Sequence, residues 1–456
     1  MQTRKNEPFF THDRSFFSVF LPLTLTVALQ NLITHGVNLA DNIMLGGYSE
    51  AALSGASLAN QIQFLLLMLT GGIAEGVVVI GAQYWGRRDT ASIKRILRLG
   101  LWLSFGVGLI FFLAVSLAPR ACLSLFTSDA AVLAEGIRYV RIVCFTYLLF
   151  SVTNLLVGAL KCVETVRIGL ALSVSTLCIN VCLNYCLIFG RFGLPRLGSA
   201  GAAVATLVSR AVELIILLVY LLHRDQKLRF RLRELLTPDF SFLPDLTRAG
   251  GPIFISNGIW GLAMAVQTAI LGHLGASAIA ANSIATTVFQ IVSVISYGAA
   301  AAAGVTVGKA IGAGRQGELR QYCRTLQVLF LAVGVLEGLV LFFLRDPVLR
   351  LYAISGPSLE LARQFMLVLC VTVVGTSYQM ACLTGIVRGG GDTRFVMIND
   401  LLFMWGLVLP CSALAAFVCN APPLWVFVIL KSDQVLKCAV AVFKVNSYNW
   451  VRTLTR

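Results

Sequence analysis

Residues 41–86 read DNIMLGGYSEAALSGASLANQIQFLLLMLTGGIAEGVVVIGAQYWG, and residues 267–312 read QTAILGHLGASAIAANSIATTVFQIVSVISYGAAAAAGVTVGKAIG. A shift of 226 positions places the first stretch on the second without a gap. The identical residues that then coincide are Leu45/Leu271, Gly46/Gly272, Ala52/Ala278, Ser57/Ser283, Ala59/Ala285, Gly72/Gly298, Ala74/Ala300, Val79/Val305 and Gly86/Gly312. Internal repeats of this kind are typical of transporters built from two related halves.

Two of the acidic residues in the first stretch are of interest because the second stretch has no acid at the matching position. Asp41 is aligned with Gln267, and Glu75 is aligned with Ala301. The scaffold is therefore duplicated, while these two acids belong to the first copy alone. We expect the buried charge chemistry to be concentrated in the first half of the chain.

The composition is that of an integral membrane protein. Of the 456 residues, 57% are hydrophobic and 12% are charged, whereas about 25% of a soluble domain is charged. A membrane-spanning helix needs roughly 20 predominantly apolar residues. Twelve stretches satisfy this requirement, at residues 16–40, 52–80, 97–118, 136–160, 168–190, 200–222, 250–272, 278–306, 325–344, 362–386, 395–418 and 424–445.

Twelve helices and a doubled sequence predict two pseudo-symmetric six-helix bundles. Six is an even number, so both copies enter the membrane from the same side and form a parallel repeat. A charged, proline-containing interval separates them. We predict an N-terminal six-helix lobe at 1–222, a cytoplasmic basic linker at 223–247, and a C-terminal six-helix lobe with a cytoplasmic tail at 248–456.

The basic residues follow this predicted topology. The net charge of +15 by itself would suit a nucleic-acid-binding protein. However, 25 Lys and Arg residues fall in loops on one predicted side and eight on the other. The positive-inside rule then predicts that both termini are cytoplasmic in a multi-pass inner-membrane protein. Residues 1–14 lack the apolar core of a signal peptide, so we expect the first membrane helix to direct insertion.

Polar side chains form stripes along several of the apolar helices. One face of predicted helix 1 carries Asn31, Thr34, Asn38 and Asp41, and one face of predicted helix 5 carries Ser173, Thr176, Asn180 and Asn184. A stripe facing lipid would be costly, so such faces are expected to turn toward the bundle interior or a wet cavity. Asparagine and threonine stripes also serve as interhelical hydrogen-bonding contacts, which is a purely structural alternative.

Asp41 is the most informative of these polar residues. A charged side chain deep in a membrane costs about 2.5–3.5 kcal/mol on insertion scales. Such a carboxyl group can be protonated or paired with a cation, which are the alternatives that an ion-coupled carrier needs. The simpler interpretation is that Asp41 lies near the outer end of helix 1 and reaches water.

Other buried charges have local explanations. Arg210 and Glu213 are three residues apart on one predicted helix, and Asp433 and Lys437 are four apart on another, so each set can form a local ion pair. Asp400 lies about two turns into predicted helix 11 without a helical partner at such spacing. It is therefore a candidate functional acid.

The sequence offers no sign of a catalytic or metal centre. The four His residues are scattered, and the twelve Cys residues show no zinc-binding spacing. Most of the cysteines lie inside predicted helices, where Cys behaves as a small apolar residue. We therefore expect no enzyme activity, no cofactor and no metal beyond a possible Na⁺ at Asp41.

Several motifs resemble those of the multidrug and toxic compound extrusion (MATE) transporters, bacterial type. They are LADNIMLGGYSEAAL at 39–53 with SLANQI at 57–62, the segment from Asn180 to Gly190, and RGGGDTR at 388–394. The resemblance extends over essentially the whole chain, including the helix count and the central linker. It implies a V-shaped pair of six-helix bundles that exports organic cations and other drugs by Na⁺ or H⁺ antiport.

The resemblance also implies a cation-coupling site in the first lobe. Asp41 corresponds to its carboxylate on helix 1, with Asn180, Asn184 and Thr206 around it. Many members of the family carry Asp at the position of Asn184. A subset carries Glu on helix 7, where the nearest position in this chain is Trp260. A second-lobe cation site built on that Glu is therefore expected to be absent or altered.

These observations lead to a functional hypothesis. The chain is expected to be a monomeric antiporter that exports amphipathic, cationic small molecules across the lipid bilayer in exchange for Na⁺ or H⁺. Candidate residues of the substrate cavity are Met264, Gln267, Gln290, Tyr297 and Asp400. Candidate residues of the cytoplasmic mouth are Arg388, Asp392 and Arg394. The alternative is a lipid-linked oligosaccharide flippase, for which a cationic cavity would be expected.

Overall fold

The computed structural model describes residues 10–127, 129–237, 239–350 and 356–456. Within these ranges the chain is helical and has no β-strand. The helices of the first half are α1 (Arg14–Tyr48), α2 (Glu50–Gly86), α3 (Thr90–Leu117), α4 (Pro119–Ser124), α5 (Ala130–Cys162), α6 (Arg167–Phe189), α7 (Ser199–His223) and α8 (Leu232–Leu236). Those of the second half are α9 (Leu243–His273), α10 (Ala276–Val292), α11 (Val294–Gly312), α12 (Gln316–Leu349), α13 (Gly356–Met380), α14 (Thr393–Leu401), α15 (Leu409–Phe417), α16 (Pro423–Lys431) and α17 (Asp433–Ser447).

The predicted all-α membrane fold is confirmed, with two helices broken. Among the described residues, 11 helices are long and apolar enough to cross a membrane. Predicted helix 8 is divided at Ser293 into α10 and α11, and predicted helix 12 is divided at Ser432 into α16 and α17. Neither break contains a proline or glycine that would have marked it in the sequence.

Local sequence explains several helix ends. The side chain of Asp89 accepts a hydrogen bond from the Ser92 N–H at the start of α3. Asp129 caps α5 in the same way through the N–H groups of two residues in its first turn. These caps satisfy donors that the helix leaves unpaired. At the C-terminal end of α6, Gly190 adopts a left-handed conformation with φ of 69°. Glycine tolerates this conformation without a steric cost.

The contacts divide the chain into two compact units. The C-unit comprises Met1–Ala28, Ala82–Arg88 and Ile259–Arg456, and the N-unit comprises Leu29–Gly81 and Asp89–Gly258. Their boundaries fall within α1, α2 and α9, so each unit includes a helical segment from the other half of the chain. The division into lobes at 222 and 248 follows the repeat rather than the contacts, and it stays a prediction.

Each unit contains the same helix crossing, made possible by one glycine of the repeat. In the N-unit, Gly72 of α2 lies against the backbone of Phe254 in α9. In the C-unit, Gly298 of α11 lies against the backbone of Ala28 in α1. Gly72 and Gly298 are 226 residues apart, as are Ala28 and Phe254. The repeat read from the sequence is therefore also a repeat of tertiary contacts.

A second glycine pair brings the ends of α2 and α11 together within the C-unit. Gly86 lies against the backbone of Lys309, and Gly312 lies against the backbone of Gln83. Gln83 and Lys309 are again 226 positions apart, so the two contacts are equivalent under the repeat. A Cβ atom at either glycine would overlap the facing backbone, which restricts this crossing to glycine.

The linker docks against the N-unit through ion pairs. Lys94 Nζ lies 3.1 Å from a Glu234 carboxylate oxygen, and Arg98 lies 3.0 Å from Asp239. Hydrogen bonds from Ser241, opposed by burial and reinforced by the charge of Arg98, hold the pKa of Asp239 below its ordinary value of 3.8. The basic start of α3 therefore anchors the acidic side chains of the linker.

The glycine crossing predicts a specific steric penalty. Gly298→Ala should destabilise the protein, because the added methyl group meets the α1 backbone, with a cost of about 1–3 kcal/mol typical of overpacking. Gly106→Ala in α3 is the matched control, since a Cβ there has nothing within 4 Å. Thermal unfolding of the detergent-purified variants measures both. Equal midpoints for the two variants would contradict the proposed crossing.

The docked linker predicts a loss of stability in acid. Because the folded-state pKa of Asp239 is depressed, its contribution is complete above the unfolded pKa and is lost as pH falls through the folded value. The unfolding midpoint of the wild type should therefore fall below about pH 4 more steeply than that of Asp239→Asn. Midpoints measured from pH 7 to pH 3 test this, and parallel curves would exclude the ion pair as a stabilising contact.

Candidate functional site

A chain of hydrogen bonds connects the first-half candidates within the N-unit. Asn184 donates to the carboxylate of Asp41 through Nδ2. The same group lies 3.0 Å from Asn180 Oδ1, and Asn180 Nδ2 lies 3.4 Å from Thr206 Oγ1. Three helices, α1, α6 and α7, therefore contribute to one polar cluster, hereafter the Asp41 cluster (Asp41, Asn180, Asn184 and Thr206).

The α6 side of the cluster is sealed from the surroundings. Thr176, Asn180 and Asn184 are 6%, 1% and 0% exposed, and they follow one another at intervals of four residues on one face of the helix. Asp41 itself is intermediate in exposure. The cluster thus combines buried amide side chains with a carboxylate that is partly accessible. This arrangement suits reversible binding of a small ion, because the ion can reach the carboxylate from outside the cluster.

The buried face of α6, which carries Thr176 as well as the two asparagines of the cluster, contains oxygen atoms suited to a hard cation. Asn184 Oδ1 and Thr176 Oγ1 are buried and have no hydrogen-bond partner in the described protein. Such atoms are costly unless a ligand or water satisfies them. Hard cations prefer carboxylate and carbonyl oxygens. Among the described residues no three His, Cys, Asp or Glu side chains lie close enough to hold a metal ion, so neutral oxygens supply most of the available ligands.

Two residues that sequence reasoning did not assign to this site adjoin the cluster. Tyr139 of α5 is 3% exposed and lies beside Thr206. Arg210, one turn beyond Thr206 on α7, exerts its charge on Asp41. The sequence carries no signal for Tyr139, because it lies on a separate helix with no periodic polar neighbours. Arg210 was identified only as a local partner of Glu213.

The ion pair predicted between Arg210 and Glu213 is present in the structure. Arg210 Nη1 donates to Glu213 Oε2 at 2.8 Å, and its guanidinium lies 5.4 Å from the ring centre of Phe150. Glu213 is 8% exposed. The positive charge near the Asp41 cluster therefore has a countercharge on its own helix.

The other members of the helix 1 stripe lie outside the hydrogen-bonded cluster. Thr34 donates to the backbone carbonyl of Gln30 in its own helix. Asn38 is exposed, and Asn31 is intermediate in exposure. The shared face predicted for these residues therefore continues beyond the buried part of the site. Periodicity along one helix could not show where the neighbouring helices stop covering that face.

The five candidates for a substrate cavity in the second half have different surroundings. Gln267 is 6% exposed and donates to Met404 Sδ at 3.3 Å, so it lies in the packed core. Met264 is intermediate in exposure, whereas Gln290 and Tyr297 are exposed. Their common role in a cavity stays a prediction.

Asp400 belongs to an ion-pair cluster that crosses helices. Lys437 Nζ lies 2.9 Å from Asp400 and 3.4 Å from Asp433. Asp433 also accepts hydrogen bonds from Gln434. The local Asp433–Lys437 pair was predictable from spacing, but Asp400 reaches Lys437 from α14, a contact between helices that spacing along one helix does not reveal.

The candidates at the predicted cytoplasmic mouth lie around the turn before α14. Asp392 is 4% exposed and forms ion pairs with Lys444 at 2.8 Å and Arg452 at 3.3 Å. Arg388 is buried, while Arg394 is exposed. Asp392 therefore has basic partners from α17 and from the residues beyond it.

Comparison with known proteins identifies a family. The MatE family model matches residues 23–186 and 252–427, which together form most of the chain. The chain is 25% identical to a "Probable multidrug resistance protein NorM" of Thermotoga maritima over 399 residues, covering 86% of this chain and 84% of that protein. It is 29% identical to a protein of the same name from Rhizobium meliloti over 400 residues, covering 84% and 82%.

Solved structures share the fold. A mutant of the Vibrio cholerae MATE transporter VcmN superimposes with a TM-score of 0.86 at 17% identity, covering 96% of this chain and 98% of that one. A transporter of the MOP superfamily from Pyrococcus furiosus superimposes with a TM-score of 0.84 at 18% identity, covering 97% and 100%. For the Pyrococcus furiosus transporter, the reversed polarity of the binding pocket suggests a different function. The fold alone therefore does not decide function.

The ion pair beside the Asp41 cluster predicts a non-additive mutant effect. Arg210→Leu should lower stability by about 3–5 kcal/mol, because it leaves Glu213 buried without a countercharge. The double variant Arg210→Leu/Glu213→Leu should recover most of that loss. Unfolding of the two variants in detergent tests the pairing, and additive losses would show that the two side chains act independently.

Proposed function

The chain belongs to the MatE family, and from this premise we propose that it is a secondary antiporter in the cytoplasmic membrane. It exports amphipathic, cationic drugs or toxins in exchange for Na⁺ or H⁺. Support comes from the family match over both halves of the chain and from the names of the NorM relatives. The observation that carries the coupling step is the Asp41 cluster, in which a carboxylate accepts a hydrogen bond from a buried amide side chain.

The proposed coupling step is uptake of one cation at Asp41. A proton would bind the carboxylate itself, and Asn184 would keep a hydrogen bond to it. A Na⁺ ion would instead be held by oxygens from Asp41, Asn184 and Asn180, since hard cations require several oxygen ligands. Both modes neutralise a charge that is costly within the membrane, so ion binding can favour a rearrangement of α1, α6 and α7.

Exchange requires that ion and substrate bind to different states. If cation binding lowers the affinity for substrate, substrate binding must lower the affinity for the cation by the same factor. An inward ion gradient then drives release of substrate on the outer side. Met264, Gln290 and Tyr297 are proposed to contact the substrate, because a thioether, an amide and an aromatic ring offer adaptable contacts for an amphipathic cation.

The proposed orientation has both termini in the cytoplasm. The excess of Lys and Arg in alternate loops supports it through the positive-inside rule. The basic start of α3 and the linker contact each other, as segments on one side of a membrane can. The protein is proposed to act as a monomer.

The alternative of a lipid-linked oligosaccharide flippase has less support from the charge distribution. Such a protein would be expected to bind its anionic substrate in a cationic cavity. Arg210, the basic residue beside the Asp41 cluster, is paired with Glu213, and the cluster centres on an acid. These charges favour a cationic cargo.

Substitution of the carboxylate tests the coupling step. Asp41→Asn should abolish export driven by an imposed Na⁺ or H⁺ gradient, because the variant can neither bind a proton nor balance a cation. Purified protein in vesicles, with a fluorescent organic cation as the cargo, provides the measurement. The same assay with each gradient imposed separately identifies the coupling ion.

The matched control is Asn38→Ala, one turn away on the same helix and outside the cluster. This variant should retain export, whereas Asn184→Ala should raise the half-saturating ion concentration by about tenfold or more, the equivalent of one lost charge-assisted contact of about 1.4 kcal/mol. Wild-type export by Asp41→Asn, at normal expression, would refute the proposed role of Asp41.

A further inference from the structure

The last residues of the chain, 448–456, form a segment that packs closely on the C-unit, hereafter the tail. Trp450 is 0% exposed, and its indole Nε1–H donates to the Val445 carbonyl at 2.9 Å. The indole ring lies on Gly390, where any Cβ atom would overlap it. Trp450 therefore occupies a defined position on the C-unit. Its ring packs against Gly390, the middle glycine of the motif RGGGDTR.

The tail is also bonded to the turn that contains this motif. The Arg452 N–H donates to the Gly390 carbonyl at 2.9 Å. The Arg452 guanidinium lies 3.3 Å from Asp392, which also binds Lys444 of α17. Backbone, ring and charge contacts thus hold the first part of the tail on the 388–394 turn.

The second part of the tail is bonded to the end of α2. Gln83 Nε2 donates to the Arg452 carbonyl at 3.0 Å, and Gln83 Oε1 accepts from the Leu454 N–H at 2.8 Å. The Arg456 N–H donates to Tyr84 Oη at 3.1 Å, and Arg87 donates to the Arg456 carbonyl at 2.6 Å. Two side chains of α2 and the side chain of Arg87, which follows it, therefore hold the backbone of the tail.

Gln83 contacts both the tail and the glycine crossing. Its side-chain amide binds the tail, while its backbone lies against Gly312 of α11. The position of the tail is consequently linked to the position of the α2 end on α11. A glutamine is suited to this role, because one amide supplies both a donor and an acceptor to the peptide groups of the tail.

The first copy of the repeat does not reproduce this arrangement. Under the 226-residue shift, the tail corresponds to residues 222–230, in which Lys227 Nζ donates to the carbonyls of Val163 and Glu164. The counterpart of Gln83 is Lys309, whose ammonium group has donors but no acceptor. A side chain that both donates to and accepts from the facing backbone, as Gln83 does, is therefore found at the end of α2 and not at its counterpart in the repeat.

We propose that the tail is a latch, with Trp450 and Gln83 as positioning residues for the transport cycle. The latch fastens the end of α2 to the 388–394 turn and stabilises the state in which α2 and α11 are crossed at Gly86 and Gly312. Alternating access requires the ends of the two repeats to separate and rejoin, so the tail must release α2 once in each cycle. This inference rests on the proposed antiport and on the cytoplasmic location of the tail.

A reversible cross-link tests whether release is required. Gln83→Cys and Leu454→Cys are combined in the full chain and joined with a short bifunctional methanethiosulfonate reagent. Cross-linking should stop export from vesicles, and reductant should restore it. Each single variant, treated with the same reagent, controls for the twelve native cysteines. Full export by cross-linked protein, verified on a non-reducing gel, would overturn the latch.

A second set of variants separates positioning from folding. Trp450→Ala and Gln83→Leu should shift both KM and the maximal rate by about threefold or more, because loss of the latch favours the state in which the end of α2 is released from the tail. Trp450→Phe should recover most of the wild-type values, since a ring still fills the Gly390 seat. Gln364→Leu, at the first turns of α13, is the matched control. Unchanged KM and rate in both latch variants would overturn the proposal.

The two proposals fail in different ways. Absence of ion-driven export by the wild type would refute the antiport proposal. Where the wild type does export, the cross-linking rate of the Gln83→Cys/Leu454→Cys variant, measured without any substrate, should change when an ion gradient is imposed. A rate that is independent of the gradient, in vesicles where the wild type exports normally, would refute the latch alone.

Discussion

A polar group within a bilayer has no water to bind, and this constraint governs both the site and the scaffold. At the site it brings Asp41, Asn184, Asn180 and Thr206 from three helices into one hydrogen-bonded chain. The same constraint pairs Lys437 with two acids in the C-unit. A buried oxygen without a hydrogen-bond partner in the protein, such as Asn184 Oδ1, therefore marks a position where a ligand can bind.

The repeat provides close backbone contacts that apolar burial alone would not produce. Helices in lipid gain little from a hydrophobic effect between them, so association depends on packing and favours small residues at the interface. Gly72 and Gly298 serve equivalent crossings in the two units. The duplication thus repeats the scaffold, whereas Asp41 and Gln83 are opposed by Gln267 and Lys309 and give the two halves different chemistry.

Much of this organisation could be predicted from the sequence, and the exceptions have physical causes. The stripe of Thr176, Asn180 and Asn184 was visible because helical periodicity puts them on one face. Tyr139 and the contact between Asp400 and Lys437 were missed, because each depends on which helices are neighbours. The breaks at Ser293 and Ser432 were missed as well, since neither position carries a residue that interrupts a helix by itself.

The sequence alone determined the membrane class, the all-helical fold and the doubling, because hydropathy, helix length and the 226-residue shift are properties of the chain itself. It also identified Asp41, since an acid in an apolar helix is anomalous wherever its neighbours lie. Only the tertiary structure decided which amides surround that acid and that Trp450 and Gln83 hold the tail. Those contacts join residues as far apart as 83 and 454, and no local pattern encodes such a distance.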